Sequence, residues 1–199
     1  MEKLILSTRN PSKAEQIKAI FEGLPVSVLT LDEAGIHGEA VEDGLTLHDN
    51  ALKKARYAFE CADQDLWTMA DDTGLFIDHL GGEPGIKAAR WAGDTATTEE
   101  ILAFTLQKMK GARNRSATFE TVVAVIDHMG NEHFFSGKVR GKLLEAPRVK
   151  PQPKMPYSAI FIPEGSDLVW AEMTTEQENE ISHRGIAFRQ VREFLKKHL

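Results

Sequence analysis

Asp71 and Asp72 stand side by side in TMADDTGLF, residues 68–76, just after an apolar stretch and before Thr73 and Gly74. A strand sends neighbouring side chains to opposite faces, and adjacent like charges repel, so the pair needs a reason. Asp, Thr and Gly all favour a turn at a strand end through local hydrogen bonds. Alternatively, one carboxylate faces a ligand or metal while the other anchors the backbone.

Four other stretches carry residues suited to chemistry. STRNPSK, residues 7–13, offers the hydroxyls and amide of Ser7, Thr8, Asn10 and Ser12. The backbone N–H groups of a helix start attract anions, and Lys13 could reach a phosphate as a point charge. The GxxxxGK[ST] pattern is absent, so this is not a Walker loop. A polar cap with an exposed lysine fits the same residues. Asn50 and Lys54 are four apart and share one side of a helix, with Lys53 and Arg56 nearby; a solvated basic face is the ordinary reading. Glu42 and Asp43 precede that helix, either capping its dipole or offering oxygen to a hard cation. In SHRG, residues 182–185, Ser182 suits an N-cap, and His183 and Arg184 are paired donors for a carbonyl oxygen or phosphate. The seven histidines lack His-x-x-x-His spacing, and Cys61 is the only cysteine. A zinc site and an intrachain disulfide are therefore not expected.

Hydrophobic periodicity supplies the elements that must position these groups. KLILST reads as a first strand, residues 12–22 as a helix with Ile17, Ile20 and Phe21 at core spacing, and VSVLTL as a second strand. From Leu45 to Ala62 runs the clearest helix, with Ala51, Leu52, Ala55, Ala58, Phe59 and Ala62 in one stripe. LWTMAD and GLFIDHL read as a strand pair or one interrupted strand around the Asp pair. GGEPG is a turn-rich loop, and a helix at about 97–110 is capped by Thr97 or Thr98. Residues 117–144 read as a long hairpin, with Phe119, Thr121, Val123 and Val125 on one face and MGN as the turn. APRVKPQPKMPY holds four of the eight prolines and reads as an extended loop. SAIFI follows as a strand, and SHRG precedes a last helix with Ala187, Val191, Phe194 and Leu195 inward. Strands interleaved with helices predict an α/β fold around a mixed central sheet.

Bulk properties narrow the class. The 199 residues can bury a proper core, as one domain over 1–199 or two closely joined lobes. A composition of 42% hydrophobic and 27% charged residues argues against disorder. A net charge of −6 argues against coating nucleic acid, which needs a broad basic face. The apolar run near the N-terminus is too short for a signal peptide, and no segment approaches the ~20 apolar residues of a membrane helix. A cytoplasmic protein without membrane or nucleic-acid partners is expected.

Taken in order, STRNPSK, EDGLTLHDNALKKA, ADDTGL, LGGEPG followed by AAR, and SHRG resemble the inosine triphosphate pyrophosphatase family. The resemblance runs over nearly the whole chain. It implies an elongated α/β fold of two lobes with the active cleft between them, commonly as a homodimer. It implies Mg²⁺-dependent hydrolysis of non-canonical purine triphosphates such as ITP, dITP and XTP to a monophosphate and pyrophosphate. Carried over by residue, Thr8, Arg9, Asn10, Ser12 and Lys13 would hold the triphosphate with Lys54. Glu42 and Asp72 would serve the metal, Asp72 doubling as the base for water. Thr73 would touch the phosphates, His183 and Arg184 would read the base, and Tyr157, Ser158 and Glu178 belong to the base side. The chemistry is consistent: a polyanion on an acidic protein needs concentrated cations, and attack at phosphorus needs a carboxylate near metal-activated water.

The chain departs from that pattern in places. Where the family usually has Gly-Phe-Gly-Tyr-Asp-Pro, KMPYSA keeps only Tyr157, with Met155 for the stacking aromatic and Ser158 for the Asp. Glu178 stands where Lys is usual, and Gln16 where Glu is. The resemblance therefore covers the phosphate and metal half better than the base half. This leads us to expect less dominance of ITP and XTP over other purines. A pyrophosphatase for a modified pyrimidine, of the Maf-like kind, and a nucleotide-binding regulator without turnover are the competing classes. SHRG and ADDTG weigh against the first, and the retained acidic residues against the second.

Overall fold

A computed structural model of the chain describes residues 2–62 and 66–199, so the expected unit over 1–199 includes four residues outside the described ones. The alternating apolar runs form one mixed sheet in the order β2-β1-β3-β5-β6-β7, with a short β4 beside β3. Its strands are β1 (Glu2–Leu6), β2 (Val26–Thr30), β3 (Trp67–Ile77), β4 (Pro84–Gly85), β5 (Ser116–Ile126), β6 (Glu132–Leu143) and β7 (Phe161–Pro163). The helices are α1 (Pro11–Ile20), α2 (Leu47–Cys61), α3 (Thr98–Lys108), α4 (Thr175–Ile181) and α5 (His183–Leu195). β1 runs parallel to both β2 and β3, whereas β3, β5 and β6 form a long antiparallel ladder. Among the described residues no helix is long and apolar enough to cross a membrane.

Two large apolar clusters occupy the two ends of that ladder. Met69 of β3 and Val125 of β5 lie in the first, with Leu4, Ile17, Phe188 and Val191. Leu75 of β3 and Phe119 of β5 lie in the second, with Phe161, Ile160 and Trp170. These clusters are the cores of the two lobes. Asp71, Asp72 and Thr73 fall where β3 passes from one to the other. The β3 backbone is fully laddered to β5 there, with Asp71 opposite Val123, Asp72 opposite Val122 and Thr73 opposite Thr121.

Several elements differ from expectation for local physical reasons. β3 is continuous through the Asp pair, so these residues form no turn; their hydrogen bonds go to the ladder. α2 starts at Leu47 rather than Leu45, because Thr46 caps it in a reciprocal box with Asp49. α4 lies in TTEQENEI, where no apolar stripe announces a helix; its start is fixed by Thr174, whose side chain accepts from the Gln177 N–H. α5 begins at His183, so SHRG is its cap and first turn rather than a segment before it. Of SAIFI, only Phe161 and Ile162 enter a strand, since Ser158 and Ile160 make turn hydrogen bonds to Met155 and Tyr157.

Candidate active site

The turn from β1 into α1 builds the first wall. Asn10 caps α1 by accepting from the Lys13 N–H at 3.2 Å, and Pro11 fits the first helical turn, where no N–H is required. This start aims Lys13 at β3. Its Nζ lies 2.9 Å from Asp71 Oδ2. Thr73 Oγ1 donates to the same oxygen at 3.3 Å, and Arg184 Nε stands 3.9 Å away. Burial alone would raise the Asp71 carboxyl, but Lys13, Arg184 and Lys54 hold it down at about 2. Asp71 is a fixed anion.

Asp72 leaves the strand by the other face and meets α2. Lys54 Nζ lies 3.0 Å from its Oδ1, and Asn50 Nδ2 donates to its Oδ2 at 3.2 Å. The same Lys54 ammonium lies 3.5 Å from Glu42 Oε1. Asn50, fully buried, also accepts from the Gly44 N–H at 2.8 Å, so one amide ties the loop bearing Glu42 to Asp72. Arg90, in the AAR stretch, grips the Glu42 carbonyl at 2.9 Å. Burial pushes the Asp72 carboxyl up, Lys54 pulls against it, and Glu42 pushes up further. Two neighbouring carboxylates are thus driven in opposite directions by their surroundings.

α5 supplies the far wall. Ser182 accepts from the Gly185 N–H at 2.9 Å and starts the helix. A Cβ at Gly185 would run into the Asn179 backbone of α4, and one at Gly137 of β6 into the His183 carbonyl. Glycine at both places lets the first turn of α5 lie hard against its neighbours. His183 stacks on Phe119 with ring centroids 4.7 Å apart. Burial and the nearby Arg184 charge hold its imidazole well below the ordinary range, so it is neutral. Arg184 NH1 donates to Gln16 Oε1 at 2.5 Å.

A cleft of about 190 Å³ collects these groups, lined among others by Lys13, Lys54, Glu42, Asp72, His183 and Arg184. A second hollow of about 220 Å³ continues from it along residues 7–10. Thr73, Tyr157, Ser158 and Glu178 face the first, Thr8 the second, and Asn10 both. Tyr157 is buried, with its hydroxyl on the Ala88 carbonyl at 2.8 Å. Ser158 Oγ accepts from the Gln152 N–H and donates to the Met155 carbonyl, each at 2.8 Å, closing the loop on itself.

Arg9 lines the second hollow, but its guanidinium is already engaged, and Ser12 is placed otherwise. Arg9 turns toward residues 32–39, bonding Asp32 at 2.9 Å, the Ile36 carbonyl at 2.7 Å and the Gly38 carbonyl, so its charge braces that loop. Ser12 sits within the first turn of α1 and lines neither hollow. Conversely, Asn50, Arg90, Phe119, Gln152 and Trp170 surround the site unannounced. Asn50 left a trace in its four-residue spacing from Lys54, Arg90 in the AAR stretch and Phe119 in the alternation of the hairpin, none of them with a role attached.

The Ham1 family profile matches residues 4–194. A dITP/XTP pyrophosphatase of Thermoanaerobacter pseudethanolicus is 38% identical over 199 residues, covering 99% of this chain and 98% of that protein. Another from Porphyromonas gingivalis is 40% identical over 201 residues, covering 98% of each. The solved structure of a HAM1 protein from Coxiella burnetii superposes with a TM-score of 0.85 at 29% identity, covering 99% of this chain and 100% of that one. The chain belongs to the Ham1 family.

Proposed function

We propose that this chain is a nucleoside triphosphate pyrophosphatase that hydrolyses non-canonical purine (deoxy)nucleoside triphosphates to the monophosphate and pyrophosphate. The observation that carries the reading is the Asp71–Asp72 pair, one member locked as an anion and the other pushed toward proton uptake, beside two lysines and a helix start. The activity in the names of the relatives agrees.

Lys13, Lys54 and the free N–H groups at the start of α1 supply positive potential for the phosphates. Asp71 holds Lys13 in place. Asp72 orients water and takes its proton as the oxygen attacks the α-phosphorus. The bond from that phosphorus to its bridging oxygen breaks, and pyrophosphate leaves. Glu42 and Asp72 fit Mg²⁺: two carboxylates already share one cationic nitrogen, Lys54 Nζ. These two would be the carboxylates that hold it, a number that suits Mg²⁺. When bound, it supplies charge neutralisation and a lowered water pKa.

A homodimer in the cytoplasm completes the reading, supported by the family resemblance and checked by sedimentation and fractionation. The direct test is pyrophosphate release from a panel of canonical and deaminated triphosphates with Mg²⁺. Release from ITP, dITP or XTP that stops when Mg²⁺ is chelated is the expected result. Absence of release from every purine triphosphate refutes the activity.

A further inference from the structure

Asp72 and Glu42 each have one carboxylate oxygen set by the scaffold and the other turned to Lys54. Asn50 Nδ2 donates to Asp72 Oδ2 at 3.2 Å, and Arg90 NH1 stands 3.9 Å from Glu42 Oε2. The remaining oxygens, Asp72 Oδ1 and Glu42 Oε1, both meet Lys54 Nζ, at 3.0 and 3.5 Å. Among the described residues no other cation lies within ion-pair distance of Asp72. The fold thus aims one oxygen of each carboxylate at a common point and places a single positive charge there. Two features make that charge movable. Lysine carries it on a flexible four-carbon stem. Lys54 also borders both hollows, so rotation of the stem carries the nitrogen from the carboxylates toward the space it shares with Lys13. Lys13 itself is committed elsewhere, to the buried Asp71 on the opposite face of β3.

We propose that Lys54 is an exchangeable counter-ion: it neutralises the Glu42–Asp72 pair until a triphosphate draws it away, and so couples metal entry to nucleotide entry. This rests on the nucleotide and metal reading above and deepens it. Against a free divalent ion, Lys54 already cancels much of the charge of the pair, and it repels a second cation placed beside it. A triphosphate offers the ammonium new anionic oxygens. Once Lys54 turns to them, Asp72 and Glu42 are left without their shared partner, which is costly for the mostly buried Asp72 unless another cation takes its place. The cleft therefore favours metal and triphosphate together over either alone. When pyrophosphate leaves, Lys54 loses its phosphate partners, and its return to the two carboxylates favours release of the ion.

The test titrates Mn²⁺, a paramagnetic substitute for Mg²⁺, into nucleotide-free protein at mildly alkaline pH, where protons do not compete, and reads bound ion by electron paramagnetic resonance. Lys54→Met keeps the stem and drops the charge, and its affinity should exceed that of the wild type about ten- to a hundred-fold, the worth of a charge-assisted contact. Lys54→Arg should stay near the wild type. Adding Glu42→Gln to Lys54→Met should abolish the gain. The non-cleavable α,β-methylene-ITP should tighten Mn²⁺ binding by a larger factor in the wild type than in Lys54→Met. Melting curves check folding, and where Lys54→Met does not fold, Lys54→Gln replaces it. Equal Mn²⁺ affinity in the wild type and the neutral variant overturns the proposal, as does a gain that survives Glu42→Gln or a nucleotide effect of equal size in both proteins. Pyrophosphate release from ITP by the wild type separates the two readings. Release alongside equal affinities keeps the pyrophosphatase reading and rejects the exchange. With no purine triphosphate cleaved that reading fails, while the expected affinities still uphold the exchange.

Discussion

Asp71 and Asp72 face opposite sides of β3, each against its own lysine: Lys13 Nζ is 2.9 Å from the first, Lys54 Nζ 3.0 Å from the second. Adjacent carboxylates can coexist because the pleat separates them and each is neutralised from a different helix. The two positions should therefore respond differently to the same isosteric change.

Asp72→Asn would remove the proposed proton acceptor and one of the oxygens proposed for the metal. Turnover should fall by at least ~10²–10⁴. The amide keeps the side chain's shape and an oxygen for Asn50, so the thermal midpoint should hold. Steady-state pyrophosphate release and a melting curve check both halves. A kcat near the wild-type value would remove Asp72 from the chemistry.

Asp71→Asn should act mainly on stability. It leaves Lys13 and Arg184 without their buried counter-charge, a loss of about 3 kcal/mol. The pH dependence has a definite sign. The folded carboxyl sits at about 2, below its ordinary 3.8, so the pair stabilises the protein fully above the ordinary value. That contribution, about 2 kcal/mol, is lost as the pH falls through the folded value. Denaturant titrations between neutral and acid pH should show the wild type losing stability in this window and the variant losing less.

Lys13→Ala and Lys54→Ala should weaken triphosphate binding about ten- to a hundred-fold while barely changing nucleoside binding. Lys54→Ala should also raise the Asp72 carboxyl further, since that ammonium is the main influence opposing burial. Calorimetric titration with a nucleoside and its triphosphate distinguishes loss of a phosphate contact from general damage, which would affect both ligands.

Gly185→Ala should destabilise by about 1–3 kcal/mol, because the new methyl group meets the α4 backbone and one of the elements must shift. His183 and Arg184 ride on the same turn, so KM should rise along with the loss of stability. A melting curve and the KM of the best substrate read the two effects. An unchanged variant would mean that α4 and α5 are less tightly seated.

Strands and long helices were legible because alternation and apolar stripes report burial directly. α4 was not, since its polar side chains carry no stripe and its caps are the only signal. The acidic pair, the lysines and SHRG were legible as types, yet their partners were not. Nothing in the local sequence says that Asn50 is fully buried, or that Gln16 will hold Arg184 from 168 positions away. Arg9 was legible as a cation beside a phosphate-type loop, and only the fold reveals that it lines the second hollow with its guanidinium bonded to the 32–39 loop.

The separation between Gln16 and Arg184 has a consequence for how the protein matures. The cleft draws on the second helix turn of one end of the chain and the last helix of the other, with β3 between them. Contacts of such range form only after many loops have closed, which slows folding. No half of the chain holds the whole set, so a nascent molecule gains the cleft only once both ends have folded together. In a refolding experiment, catalytic competence should return with the last kinetic phase, never ahead of it.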